Sequence, residues 1–223
     1  MNAETEKLIA RLTAESGPVA PLLPPWQRAL VWFALSLPVM AGFVWLMGPR
    51  SDLMLALTTP RYLIEQVAAL ATAATAVWSA FALVRPGSDR RMVWAPVLPG
   101  LVWISSLGAG CIADLRARDL HLLELTPELE CFAYISAIGA VPAALAIALL
   151  RRGAPLAPRL TLFLAILGAA ALGNFGLRMF HAQESALMVV VWQMGSVAAL
   201  SALAGLVGPR VLRWRHTHGG LQG

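Results

Sequence analysis

Long, nearly charge-free apolar runs recur six times in this sequence, near Ala29–Met47, Tyr62–Val84, Met92–Gly110, Phe132–Leu150, Leu160–Leu177 and Ala186–Val207. A helix crosses a hydrocarbon core with about 20 apolar residues. A lipid-exposed segment must satisfy its own backbone polar groups, so these runs have to be helices. Composition agrees: 58% of the 223 residues are hydrophobic and 13% are charged, where soluble domains carry about 25% charge. A soluble domain this apolar has too little polar surface to cover itself. A disordered regulator, a nucleic-acid-binding domain and a disulfide-dense secreted module are excluded on the same grounds. The expected class is all-α, a polytopic bundle of six transmembrane helices.

Punctuation marks the ends of the runs. Gly48-Pro49 ends the first, and Thr59-Pro60 and Thr126-Pro127 each offer an N-cap followed by proline at the first helical position. Gly208-Pro209 is expected to close the sixth. The first 28 residues mix charges of both signs with prolines, so the first run is read as a span that stays rather than a cleaved leader. Trp26, Trp45, Trp94 and Trp214 fall at the expected interfaces, where amphipathic rings collect.

Charge sets the orientation. The segments before the first span, after the second and fourth, and after the sixth hold Lys7, Arg11, Arg28, Arg85, Arg90, Arg91, Arg151, Arg152, Arg159, Arg210, Arg213 and Arg215, twelve of the 17 basic residues, with four acidic ones. The opposite side holds the remaining five, with eight acidic residues. The positive-inside rule then places both termini in the cytoplasm. The net charge of +5 therefore reads as topology and gives no reason to expect nucleic acid. Three units result: a cytoplasmic segment 1–28, a transmembrane domain 29–208 and a basic tail 209–223.

Within the spans, polar chemistry is sparse. Asn174 and Gln193 are the strongly polar residues well inside a run, and interhelical hydrogen bonding is their expected role. Glu65 and Arg178 sit near span ends and are read as snorkelling to the interface. The four histidines, His121, His181, His216 and His218, lie at ends or in loops, so no pair is placed to ligate a transmembrane haem. Phosphate loops, HExxH, GxSxG and paired intramembrane carboxylates are not found, so neither an enzyme nor a resident cofactor is expected. Ala165, Ala169 and Gly173, and Ser201 and Gly205, recur at four-residue spacing. That spacing permits close helix approach within a tight bundle or across a homodimer.

Two segments carry more information. Residues 3–15 form an amphipathic pattern with Leu8, Ile9 and Leu12 on one stripe, followed by a proline-rich stretch to Arg28. Such a helix is marginal alone in water, and the prolines stiffen the stretch after it. A recognition element that folds on binding looks like this, and so does a tail on the membrane surface. The second segment is the external stretch from Cys111 to Cys131, which holds the chain's two cysteines and His121. With the third and fourth spans as antiparallel neighbours, the cysteines could close a disulfide worth roughly 3 kcal/mol. Alternatively Cys111, His121 and Cys131 could take a soft or borderline metal transiently, or the thiols could be inert.

The run Leu8-Ile9-x-x-Leu12, then Pro18-Val19 and the Pro21-to-Arg28 proline/Trp/Arg junction leading into six spans, resembles the NrsF family of bacterial inner-membrane anti-sigma factors. The resemblance implies a protein that sequesters an extracytoplasmic-function (ECF) sigma factor at the inner membrane and releases it under heavy-metal or oxidative stress. It implies sigma-binding residues Leu8, Ile9, Leu12, Pro18, Val19, Trp26 and Arg28, and a sensing role for Cys111 and Cys131. Basic residues in 85–91 and 151–159 would add attraction to an acidic partner, or serve only topology and lipid headgroups. The competing readings are a small transporter or metal exporter, which would make Asn174 or Gln193 essential, and a thiol oxidoreductase. The latter normally needs a CxxC or a second cysteine pair, and this sequence has neither.

Overall fold

The computed structural model describes residues 3–15, 22–85, 87–117, 129–182 and 185–213. A short helix α1 (Ala3–Glu15) precedes five long ones: α2 (Pro25–Met47), α4 (Pro60–Leu83), α5 (Val97–Ala117), α6 (Leu129–Leu150) and α7 (Pro158–Phe180). One turn, α3 (Leu53–Ala56), lies between α2 and α4. The last span is continuous from Ala186 to Val211, made of α8 (Ala186–Met188), a π-helical stretch Val189–Met194 and α9 (Gly195–Val211). Six helices are therefore long and apolar enough to cross a membrane, and the described residues contain no strand.

Proline sets three of the starts. Pro25, Pro60 and Pro158 each occupy the first turn, where the missing N–H costs nothing and the fixed φ suits the helix. Gly48 ends α2 at φ +81° while its N–H donates to the Trp45 carbonyl, a conformation that favours glycine. Two expected boundaries move. The third span starts at a 3₁₀ turn, Arg90–Trp94, and its α-helix runs from Val97 to Ala117, deeper into the cysteine-bearing segment than the hydropathy run suggested. The sixth continues through Gly208-Pro209 to Val211. A proline that late interrupts only the last turn, and the Leu212 N–H still reaches the Gly208 carbonyl at 2.9 Å.

Two ends of the bundle can be told apart by contacts. At one, which we call the terminal end, the start of α2 meets the end of α6 through Arg28 and Leu149, and Arg151 Nε donates to the Val211 carbonyl at 3.2 Å. At the other, the loop end, the Arg50 N–H donates to the Met179 carbonyl at 3.0 Å, and α4 begins beside the end of α7.

The centre is α7, which packs against α4, α6, α9 and α2; 72% of its most apolar stretch is buried, against 22% for α5. Small residues make this possible. A Cβ on Gly173 would come within 2.6 Å of the Ile135 carbonyl on α6, and one on Gly168 within 3.0 Å of the Ala73 carbonyl on α4. Gly208 similarly abuts the Pro158 backbone. Ala165 and Ala169 are buried, as is Ser201, whose hydroxyl donates to the Val197 carbonyl at 2.6 Å. The four-residue stripes on α7 and α9 are thus occupied inside the chain.

One expectation about neighbours fails. The third and fourth spans are adjacent in sequence, but α5 packs on α4 and on the start of the last span, whereas α6 packs on α7 and α2. The π-helical stretch touches both α5 and α6 and so stands between the two cysteine-bearing helices.

Candidate functional site

Helix α1 carries the first group of candidate residues. Glu4 and Glu6 occupy its first turn, where negative charge complements the helix dipole. Leu8 and Leu12 are four residues apart and Ile9 lies three before Leu12, so the three share a face. They are 55%, 57% and 51% exposed, and among the described residues α1 has no substantial packing against any span. An apolar stripe without a covering surface is left on the outside of the molecule.

At the foot of α2, Trp26 and Arg28 diverge. Trp26 is exposed, while Arg28 is 4% exposed. The Arg28 guanidinium donates to the Leu149 carbonyl and lies 4.7 Å from the centre of the Phe81 ring. One turn on, the Trp32 indole N–H donates to the Pro142 carbonyl at 2.7 Å. Arg28 and Trp32 therefore fasten α2 to α6 and α4. Of the residues assigned to sigma binding, the structure gathers Leu8, Ile9 and Leu12 on one face, leaves Trp26 outward at the bundle's edge, and turns Arg28 into the bundle. Pro18 and Val19 lie outside the described residues.

The loop end holds the second group. Cys111 on α5 is half-buried, Cys131 on α6 is buried, and both are thiols. Between them stands the start of the last span, fixed to α5 where the Ala186 N–H donates to Asp114 Oδ2 at 2.9 Å. Among the described residues no three His, Cys, Asp or Glu side chains come together to hold a metal ion. His121, the third member of the expected set, is outside the described residues.

A buried ionic cluster occupies the same end, and here the snorkelling expectation is overturned. Glu65 Oε2 meets Arg178 Nη2 at 2.7 Å, with side chains 3% and 9% exposed, and Glu65 Oε1 meets Arg61 Nε at 2.9 Å. The Tyr62 hydroxyl donates to the Arg178 carbonyl at 2.9 Å, and Gln66 Nε2 donates to the Phe175 carbonyl at 3.2 Å. Arg178 also lies 5.4 Å from the Tyr62 ring centre. Outside the spans, Arg50 grips both Asp52 oxygens at 2.6 Å. That hydrogen bonding holds the Asp52 carboxyl below the usual range and raises Arg50 above its own.

Arg50, Asp52, Arg61, Tyr62, Glu65 and Arg178 line a cavity of about 240 Å³. Snorkelling fails because the two groups face each other across α4 and α7, where a partner of opposite sign is nearer than water. Two spans running in opposite directions, with Glu65 and Arg178 near the same end, was the signal in the sequence; intramembrane charge by default suggests a partner.

Asn174 and Gln193 do not make the interhelical bonds expected of them. Gln193, in the π-helical stretch, is fully buried, and among the described residues neither its amide atoms nor Asn174 Oδ1 has a hydrogen-bond partner.

Among known proteins, the family model described as NrsF, negative regulator of sigma F, matches residues 12–214, nearly the whole chain. No curated protein and no solved structure matches.

Proposed function

This chain belongs to the NrsF family, negative regulators of a sigma factor, and on that premise we propose that it is a membrane-held anti-sigma factor for a sigma factor of the ECF type. The observation that carries this reading is the apolar stripe of α1, which is helical, exposed and unclaimed by the bundle. Leu8, Ile9 and Leu12 enter a groove on the sigma factor as an amphipathic helix does. The segment with Pro18 and Val19 sets the distance to the membrane, Trp26 marks the interface and Arg28 anchors the foot of α2. In this reading both termini are cytoplasmic, the membrane is the bacterial inner membrane, and the excess of arginines at the terminal end attracts an acidic partner. A sigma factor held there cannot reach core polymerase.

Release begins in the proposal at Cys111 and Cys131. A soft metal ion takes the two sulfurs as thiolates and displaces their protons. Alternatively an oxidant takes two electrons and two protons as a disulfide forms. Because α5 and α6 do not pack on each other, either event strains the start of the last span that lies between them. The last span ends beside the foot of α7 and Arg151 at the terminal end, which gives the strain a path across the bundle.

The test is binding of the full-length chain, in nanodiscs, to the sigma factor encoded beside it. A Kd of about 1 μM or tighter, corresponding to about −8 kcal/mol, supports the reading, provided that removing residues 1–15 abolishes it. Binding that survives the deletion overturns the peptide mechanism. No binding by the intact chain overturns the choice of partner and moves a transporter, with Asn174 and Gln193 as its polar residues, to the front.

A further inference from the structure

Beside the cluster and apart from α1, a groove runs along the seam of α4 and α5, one of the two spans least buried by their neighbours. Its loop-end half, about 620 Å³, is walled by Ile64 of α4 and by Leu101, Val102, Ala109 and Ala113 of α5, with Arg61 at its mouth. The groove continues past Ile64 and Val102 toward Leu98 and Thr75. Leu101, Val102 and Ile64 are all exposed, so the walls face whatever surrounds the spans.

We propose that this groove seats one anionic phospholipid from the leaflet at the loop end, its acyl chain along α5 and its phosphate on Arg61. Length fits: Leu101 to Ala113 rises about 18 Å along a helix, close to half of a hydrocarbon core about 30 Å thick. Charge fits as well. Glu65 is already met by Arg178 at 2.7 Å, so Arg61, which uses Nε on the same carboxylate, brings a positive charge that the pair does not cancel. Its terminal nitrogens lie over Gly110, in space that any Cβ there would take. The side chain remains 40% exposed, and a guanidinium fork matches phosphate oxygens. The nearest carboxylate on α5, Asp114, accepts from the Ala186 N–H and is not part of the groove wall.

A second copy fits less well, because a two-fold contact pairs a patch with itself. That would bring two Arg61 side chains together at one depth.

The test uses the full-length chain purified with equal amounts of phosphatidylglycerol and phosphatidylcholine and read by native mass spectrometry. Wild type is expected to retain one phosphatidylglycerol with a preference of about fivefold, what ~1 kcal/mol per basic side chain gives. Arg61→Gln levels the two lipids, and Arg61→Lys keeps the preference. Ala109→Trp fills the groove and loses both lipids at an unchanged melting temperature; if that variant melts early, the two Arg61 variants decide alone. Equal retention by wild type, or a preference that survives Arg61→Gln, overturns the proposal. So does a dimer mass that disappears on Ala109→Trp, because the groove then belongs to a second copy.

Discussion

The two ends of the bundle handle charge near a membrane boundary in opposite ways. At the loop end arginine meets carboxylate: Arg50 with Asp52, and Arg61 and Arg178 with Glu65. At the terminal end Arg28 rests on a carbonyl and an aromatic ring and Arg151 on a carbonyl, and among the described residues no carboxylate lies against either. The paired end is closed by the Glu65–Arg178 bridge, which holds α4 to α7, while Arg61 stays part-exposed on the same carboxylate. The other end rests its arginines on carbonyls and a ring instead, beside the start of α2. In the proposed mechanism, the paired end is where a signal is received and the unpaired end is where a partner is held.

The sharpest way to break this contrast is to unpair the closed end. Arg178→Leu leaves Glu65 buried with only Arg61, and removing one member of a buried pair costs about 3–5 kcal/mol. Denaturant unfolding in detergent should show that loss, and the Glu65→Leu/Arg178→Leu double variant should recover much of it. A single variant as stable as wild type would mean that the pair is not a lock.

Next in size is the held partner. Leu8→Asp with Leu12→Asp removes two apolar anchors, each worth about 2 kcal/mol if they behave as interface hot spots. Sigma binding should become undetectable and the regulon constitutive, while unfolding of the bundle is unchanged. Normal repression in this variant would sink the peptide model.

Arg28→Ala tests whether the unpaired end is structural. It should lose about 1.5–3 kcal/mol of stability, the range for a hydrogen bond to a charged group, with sigma affinity unchanged once the protein is folded. A loss of affinity at unchanged stability would instead make Arg28 a direct contact.

The smallest effect is at Asp52. Its carboxyl titrates lower in the folded chain than in the unfolded one because Arg50 hydrogen-bonds to it. The pair's contribution is therefore complete above about pH 4 and is lost as pH falls through the lowered folded value. The stability difference between wild type and Asp52→Asn should be flat from neutral pH to about 4 and shrink only below it. A difference that shrinks near neutrality would assign it to another group.

Hydropathy made the six spans legible because backbone satisfaction in lipid leaves no other choice, and helix α1 over residues 3–15 was readable from its stripe. What sequence could not supply was which helices touch. Glu65 and Arg178 are 113 positions apart, and each alone looks like a residue reaching for the interface. Cys111 and Cys131 look like neighbours because their helices are consecutive, yet the start of the last span separates α5 from α6. Glycine and alanine spacing correctly announced close approach. It did not say to what, and Gly173 on Ile135, Ala169 on Gly139 and Gly205 on Phe163 show the stripes used within one chain.

The double engagement of Glu65 also bears on how the chain is made. Glu65 leaves the ribosome 113 residues before Arg178, an interval of roughly 6–20 s at about 5–20 residues per second. Through that interval the second span must enter lipid with its carboxylate and without its distant partner. Arg61, one turn away on the same helix, is there as soon as that turn forms and serves as an escort counter-ion until the fifth span arrives.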